Sequence, residues 1–127
     1  PKDIVASAGA KAAEGTINML YADPANEGYK RLAAAYRKSR GQEANEIIVS
    51  FYDGANVLLQ AIQKAGTVDD TSQVIAAFPK VLPMKSVQGD ELTLGGKASY
   101  GVDAQVMSVN YIGAIRNGEP VVLGKTQ

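Results

Sequence analysis

The 127-residue chain contains no cysteine, no histidine and no tryptophan. It can therefore build no Ser-His-Asp triad, no cysteine nucleophile, no histidine-bearing zinc site and no disulfide of its own. Lack of cysteine fits cytosol and periplasm equally, so these residues leave the compartment open. An excess of either charge is missing too, since 13 Lys+Arg face 13 Asp+Glu. An even balance offers no argument for clustered positive charge, so nucleic acid is not expected as a partner. No run approaches the roughly 18 consecutive apolar residues of a membrane span. The first residues show no basic stretch followed by an apolar one, and the chain begins at Pro1 without methionine. The expectation is that polypeptide upstream is absent from this sequence. There is no G-x-x-x-x-G-K-[ST] loop and no G-x-G-x-x-G after a strand, so no nucleotide cofactor is expected.

Hydrophobic residues make up 46%, enough to bury a core. Residues 1–15 are rich in alanine and glycine and read as a loop or short helical turn. Residues 16–21 read as a strand with Ile17, Met19 and Tyr21 on one face. Asp23-Pro24 breaks it, and Asp23 or Asn26 can cap a helix over 25–39. Tyr29, Leu32, Ala33 and Tyr36 form its apolar stripe, and Gly41 ends it. The basic residues at its end suit a solvated helix terminus better than an anion site.

A second helix is the clearest element. Ile48, Phe51, Tyr52, Ala55, Leu58, Leu59, Ile62 and Ala65 follow helical spacing between the cap Asn45 and Gly66. A third begins at Asp70, with Gln73 completing an acidic capping box; Val74, Ile75 and Phe78 face inward, and Pro79 ends it. Asp69-Asp70 lacks the ligand spacing of a calcium loop, so no metal site is expected. From Val81 the pattern alternates. Residues 86–94 are extended, and Gly95-Gly96 reads as a two-residue hairpin connection. Residues 105–115 read as one long strand, and Asn117-Gly118 turns it into a return strand over 119–123.

Three helices with an opening strand and a closing hairpin have no obvious single core. The arrangement makes sense where the first and last strands join a sheet completed from elsewhere. Glu14 lies among small residues just before a strand; an exposed loop carboxylate is its plain role. In Phe51-Tyr52-Asp53-Gly54, an acid and a glycine interrupt a strong helix, against local propensity. Such conflicts concentrate where function overrides stability. Phe51 suits core packing. Tyr52 can pack its ring and still offer its hydroxyl to a polar ligand.

The order of segments resembles the C-terminal part of type I periplasmic solute-binding proteins, in particular the leucine/isoleucine/valine-binding branch of ABC-transporter receptors. The resemblance rests on Ala12-Ala13-Glu14-Gly15, Asp23-Pro24-Ala25-Asn26, Phe51-Tyr52-Asp53-Gly54-Ala55 with Lys64-Ala65-Gly66, Tyr100-Gly101-Val102-Asp103-Ala104-Gln105, and Arg116-Asn117-Gly118. It implies an α/β fold of two lobes, with the chain crossing between them and a small molecule enclosed. Residues 1–22 would belong to the second lobe, 23–104 to the first, and 105–127 to the second again. The N-terminal portion of the protein, with most sheet strands, would be missing here.

The resemblance further implies that Glu14 meets a ligand's ammonium group, where a charge-assisted bond in low dielectric is strong. Tyr52 and Phe51 would stand at the cleft edge. Asp53 would accept from a ligand or orient a neighbour, and Gly15 would allow close backbone approach. The implied protein is not an enzyme. It is a periplasmic receptor, or an extracellular membrane-anchored one, that hands an amino acid or organic acid to an ABC permease. A regulatory sensor of the same fold is the alternative, and an α/β enzyme a more distant one.

Overall fold

The computed structural model describes residues 2–126. The chain forms two compact units, one of Pro1–Ile47 with Val109–Gln127, the other of Ile48–Ser108. The boundaries between the units fall at 47/48 and 108/109. The helix after Asp23 presents its half-buried stripe and buried Gly28 within the first unit. Glu46, just before the crossing, accepts a hydrogen bond from the Tyr21 backbone N–H.

In the first unit, residues 2–13 form two short helices, α1 (Lys2–Ala8) and α2 (Ala10–Ala13), separated by Gly9, where a loop or short helical turn is the expectation from sequence. Alanine-rich composition favours this outcome, because alanine loses no side-chain entropy in a helix. Strand β1 (Ile17–Leu20) follows, then α3 (Glu27–Arg40). Asn26 caps α3 by accepting from the N–H groups of Gly28 and Tyr29, at 2.8 and 3.2 Å. Gly41, in the left-handed conformation, closes it by donating to Arg37 O.

The second unit opens with α4 (Ile48–Ala65) and α5 (Thr71–Val81). Asp70 caps α5, accepting from Gln73 N and Nε2 at 3.1 and 2.8 Å. Pro79 lies inside α5 rather than ending it. So near the C-terminus, its missing N–H removes one bond, and Leu82 N still donates to Phe78 O. The strands β2 (Met84–Lys85), β3 (Glu91–Gly95) and β4 (Gln105–Met107) form an antiparallel sheet in that order. Gly95-Gly96 is not a hairpin turn. Gly96 instead begins a short helix, α6 (Lys97–Tyr100), which lengthens the connection from β3 to β4.

The expected long strand over 105–115 is two strands. Its first part, β4, pairs with β3; its second, β5 (Tyr111–Arg116), pairs with β1 in the other unit. Residues 108–110 between them carry the crossing. Asn117 and Gly118, with φ of 53° and 78°, make the expected turn into β6 (Glu119–Lys125). The sheet of the first unit has the order β1-β5-β6. Its covered side carries Leu20, Tyr111 and Ile115. Gly113 is required there: a Cβ would stand 2.6 Å from Leu20 Cδ1. Ile17, Met19 and Tyr21 are exposed; Ile17 and Met19 share the opposite side with Ala114, which is fully buried.

The core of the second unit gathers Val57, Leu82 and Leu92 with Phe78, Val81 and Met84 around them. Ala61, Val74 and Ala77 close the α4–α5 contact. Helix α4 buries Val49, Asp53, Val57 and Ala61; of the expected stripe, Ile62 and Ala65 pack partly buried against the core, while Phe51, Tyr52, Leu58 and Leu59 are exposed. Phe51, expected in the core, is 75% exposed, and Leu59 is 62% exposed. Ile75 of α5 is likewise exposed. Helix α4 is apolar on two sides, and α5 packs against the side with small and β-branched residues.

Candidate functional site

Glu14 follows α2 directly and leaves the helical conformation there. Its Oε2 accepts from the Asn117 backbone N–H at 2.7 Å, across 103 residues of sequence. Its Oε1 lies 3.6 Å from Arg116 Nη1. Glu14 thus ties the end of α2 to the β5–β6 turn. Both partners of the ion pair are about half exposed, so the pair itself adds little stability. The amide bond is charge-assisted and is the stronger contact. Gly15, at φ 79°, donates from its N–H to Ile115 O at 2.9 Å. A side chain there would be strained by the left-handed backbone.

Tyr52 and Asp53 sit in the first half of α4 and point to different surroundings. Tyr52 is 45% exposed, while Asp53 is 6% exposed and accepts from the Val87 backbone N–H at 2.8 Å. Burial raises the Asp53 carboxyl above its ordinary value, and the Val87 bond partly opposes the rise. The turn that Asp53 holds joins β2 to β3. Within it Ser86 N donates to Asp90 O, Gln88 N to Ser86 Oγ, and Gly89 N to Ser86 O. Phe51, beside Tyr52, offers an apolar ring to solvent.

The structure brings together Glu14 and Gly15 in the first unit and Phe51, Tyr52 and Asp53 in the second. Two polar side chains in the first unit had no signal in the sequence pattern. Glu46 carries a carboxyl raised by burial and held by Tyr21 N–H. The side-chain oxygen of Asn18, in β1, is buried without a hydrogen-bond partner among the described residues. Neither is visible from spacing, because each depends on which segments pack around it. Among the described residues no group of three acidic side chains gathers as a metal site. An open depression of about 480 Å³ is lined by Ile62, Gln63, Gly66, Thr67, Val68 and Asp69. It lies at the far end of α4 from Tyr52 and Asp53.

No helix among the described residues is long and apolar enough to cross a membrane. Comparison with curated protein sequences finds no match. Among solved structures, the chain is similar to a leucine-binding protein from Thermotoga maritima MSB8, at 19% identity and a TM-score of 0.71. That alignment covers 99% of this chain and 34% of the other. A periplasmic binding protein from Burkholderia mallei aligns at 14% identity and a TM-score of 0.76, over 98% of this chain and 33% of its own. A solute-binding protein of an ABC transporter from R. palustris, solved in complex with benzoate, aligns at 17% identity and a TM-score of 0.65, over 95% and 32%. The chain thus spans about a third of the length of these structures. The fold is accordingly that of part of a type I periplasmic binding protein. A sequence model of the periplasmic binding protein family matches residues 2–119, and the chain belongs to that family.

Proposed function

We propose that the protein containing this chain is a non-enzymatic solute receptor of an ABC transporter, located in the periplasm or anchored outside the cell. The observation that carries this reading is the family match over residues 2–119. Structures with the same fold include a leucine-binding protein and a benzoate complex, so small carboxylate-bearing solutes are the class to test. In the complete protein, binding shifts an open–closed equilibrium, and the closed form is presented to a membrane permease. The polypeptide that the longer relatives have supplies the remaining strands and ligand contacts.

Two contacts are assigned to this chain. In the first, Glu14 receives a ligand ammonium group beside Gly15, whose missing side chain leaves the backbone accessible. A half-exposed carboxylate already fixed by a turn amide is well prepared to take a cation. In the second, Tyr52 offers a ring and a hydroxyl, with Phe51 next to it.

A thermal-shift screen of the complete protein against amino acids and aromatic acids tests this reading. A ligand at about 100 times its Kd raises stability by about 2.7 kcal/mol, a clear upward shift. If no small organic solute moves the transition, the receptor assignment fails.

A further inference from the structure

We propose that Asp53 is a positioning residue: from inside α4 it fixes the 86–90 turn, and so sets the stance of the helix that presents Tyr52. This inference rests on the receptor reading and deepens it, because it assigns Asp53 no contact with solute. Asp53 is the polar member of a stripe whose other members are Val49, Val57 and Ala61. Its neighbours Phe51 and Tyr52 are 75% and 45% exposed, against 6% for Asp53. A carboxylate so enclosed presents almost no surface to a solute.

Its partner explains its presence. Three of the four consecutive amides in the turn, those of Ser86, Gln88 and Gly89, are satisfied within the turn itself. The fourth, Val87 N–H, points to α4 and meets Asp53 at 2.8 Å. The bond spans 34 residues, so it fixes a tertiary relation rather than a local one. Ser86, which organises the turn from the other side, is itself buried, with 9% exposure. Alanine at position 53 would suit the helix better and would avoid desolvating an acid. It would leave Val87 N–H without its partner and the turn free to move from the helix. Successive helical residues are about 100° apart, so a helix pinned at Asp53 has the direction of Tyr52 set as well.

The test compares Asp53→Ala with Asp53→Asn in the complete protein. Amide exchange at Val87 and calorimetric titration with L-leucine and with benzoate are the readouts. Asp53→Ala should speed Val87 exchange by roughly tenfold or more. Asp53→Asn keeps an acceptor oxygen and should restore most of that protection. Affinity should fall in the same order, most for alanine and less for asparagine. Unchanged Val87 exchange in Asp53→Ala overturns the clamp. Equal affinity loss in both variants, with Val87 still protected in Asp53→Asn, overturns the positioning role and makes Asp53 a ligand contact. Should the alanine variant fail to fold, Asp53→Asn decides alone: lost affinity with retained Val87 protection counts against the proposal, and joint retention supports it. If unsubstituted protein binds neither probe nor any solute of the thermal-shift screen, the receptor reading fails and the positioning role with it. The clamp is then still decided by Val87 exchange.

Discussion

Each of the two units latches an acidic side chain onto a backbone amide of a tight β-turn, and they do so in opposite surroundings. In the first, Glu14 reaches Asn117 N–H from a half-exposed position, with Arg116 beside it. In the second, Asp53 reaches Val87 N–H from a buried helix face with its carboxyl raised by burial. The same bond therefore does different work. An exposed acid keeps coordination capacity for a cation, whereas a buried one spends it on the fold. The difference separates a candidate ligand contact from a positioning residue, although sequence alone treats both as acids beside glycine.

The comparison is most severely broken in the two cores. Leu20 is fully buried in the first unit and Val57 in the second. Leu20→Ala should cost about 2–5 kcal/mol and Val57→Ala about 2 kcal/mol. Hydrogen exchange followed residue by residue should show each loss confined to its own unit. Uniform loss across both units would show that they unfold as one.

A sharper version uses the close approach between Gly113 and Leu20. Gly113→Ala should destabilise the first unit by about 1–3 kcal/mol, since its Cβ meets the Leu20 side chain. Leu20→Ala makes room for it, so the double variant should fall short of the sum in a denaturant double-mutant cycle. Strict additivity would remove the contact from the account.

The smallest effects are electrostatic, and their signs differ. Glu14→Gln should change stability by less than about 1 kcal/mol, because its ion pair is exposed. Asp53 has a raised carboxyl, so its contribution is full below the ordinary value of 3.8 and is lost as pH rises through the raised value. Asp53→Asn should flatten that slope. Asp70, exposed at the α5 cap and lowered to about 2 by Ser72 and Gln73, behaves in reverse. Its contribution is present above 3.8 and is lost as pH falls towards 2. Relative to unsubstituted protein across pH 2–6, thermal unfolding of Asp53→Asn should lose a decline on raising pH and that of Asp70→Asn a decline on lowering it; a change of the same sense in both would contradict the assignments.

Local elements were legible in the sequence. Asn26, one of the two candidate caps of α3, the cap Asp70, the terminators Gly41 and Gly66, and the Asn117-Gly118 turn all act within a few residues and stand where the pattern allows them. What escaped was decided at long range. Residues 105–115 alternate like one strand, yet their halves pair with β3 and β1 in different units. Helix α4 is apolar on two sides, and periodicity cannot choose which side α5 covers. Glu14 stands out as an acid among small residues, and the family resemblance alone implies its ligand role. Its partner Asn117, 103 residues away, could not be read from any spacing.

The central claim is that a solute is held through Glu14 in the complete protein. Calorimetric titration of unsubstituted protein and Glu14→Gln with L-leucine measures it directly. The account predicts saturable binding at one site per chain, weakened by roughly tenfold or more in Glu14→Gln, whose stability is nearly unchanged. Leucine bound equally well by both proteins would contradict it.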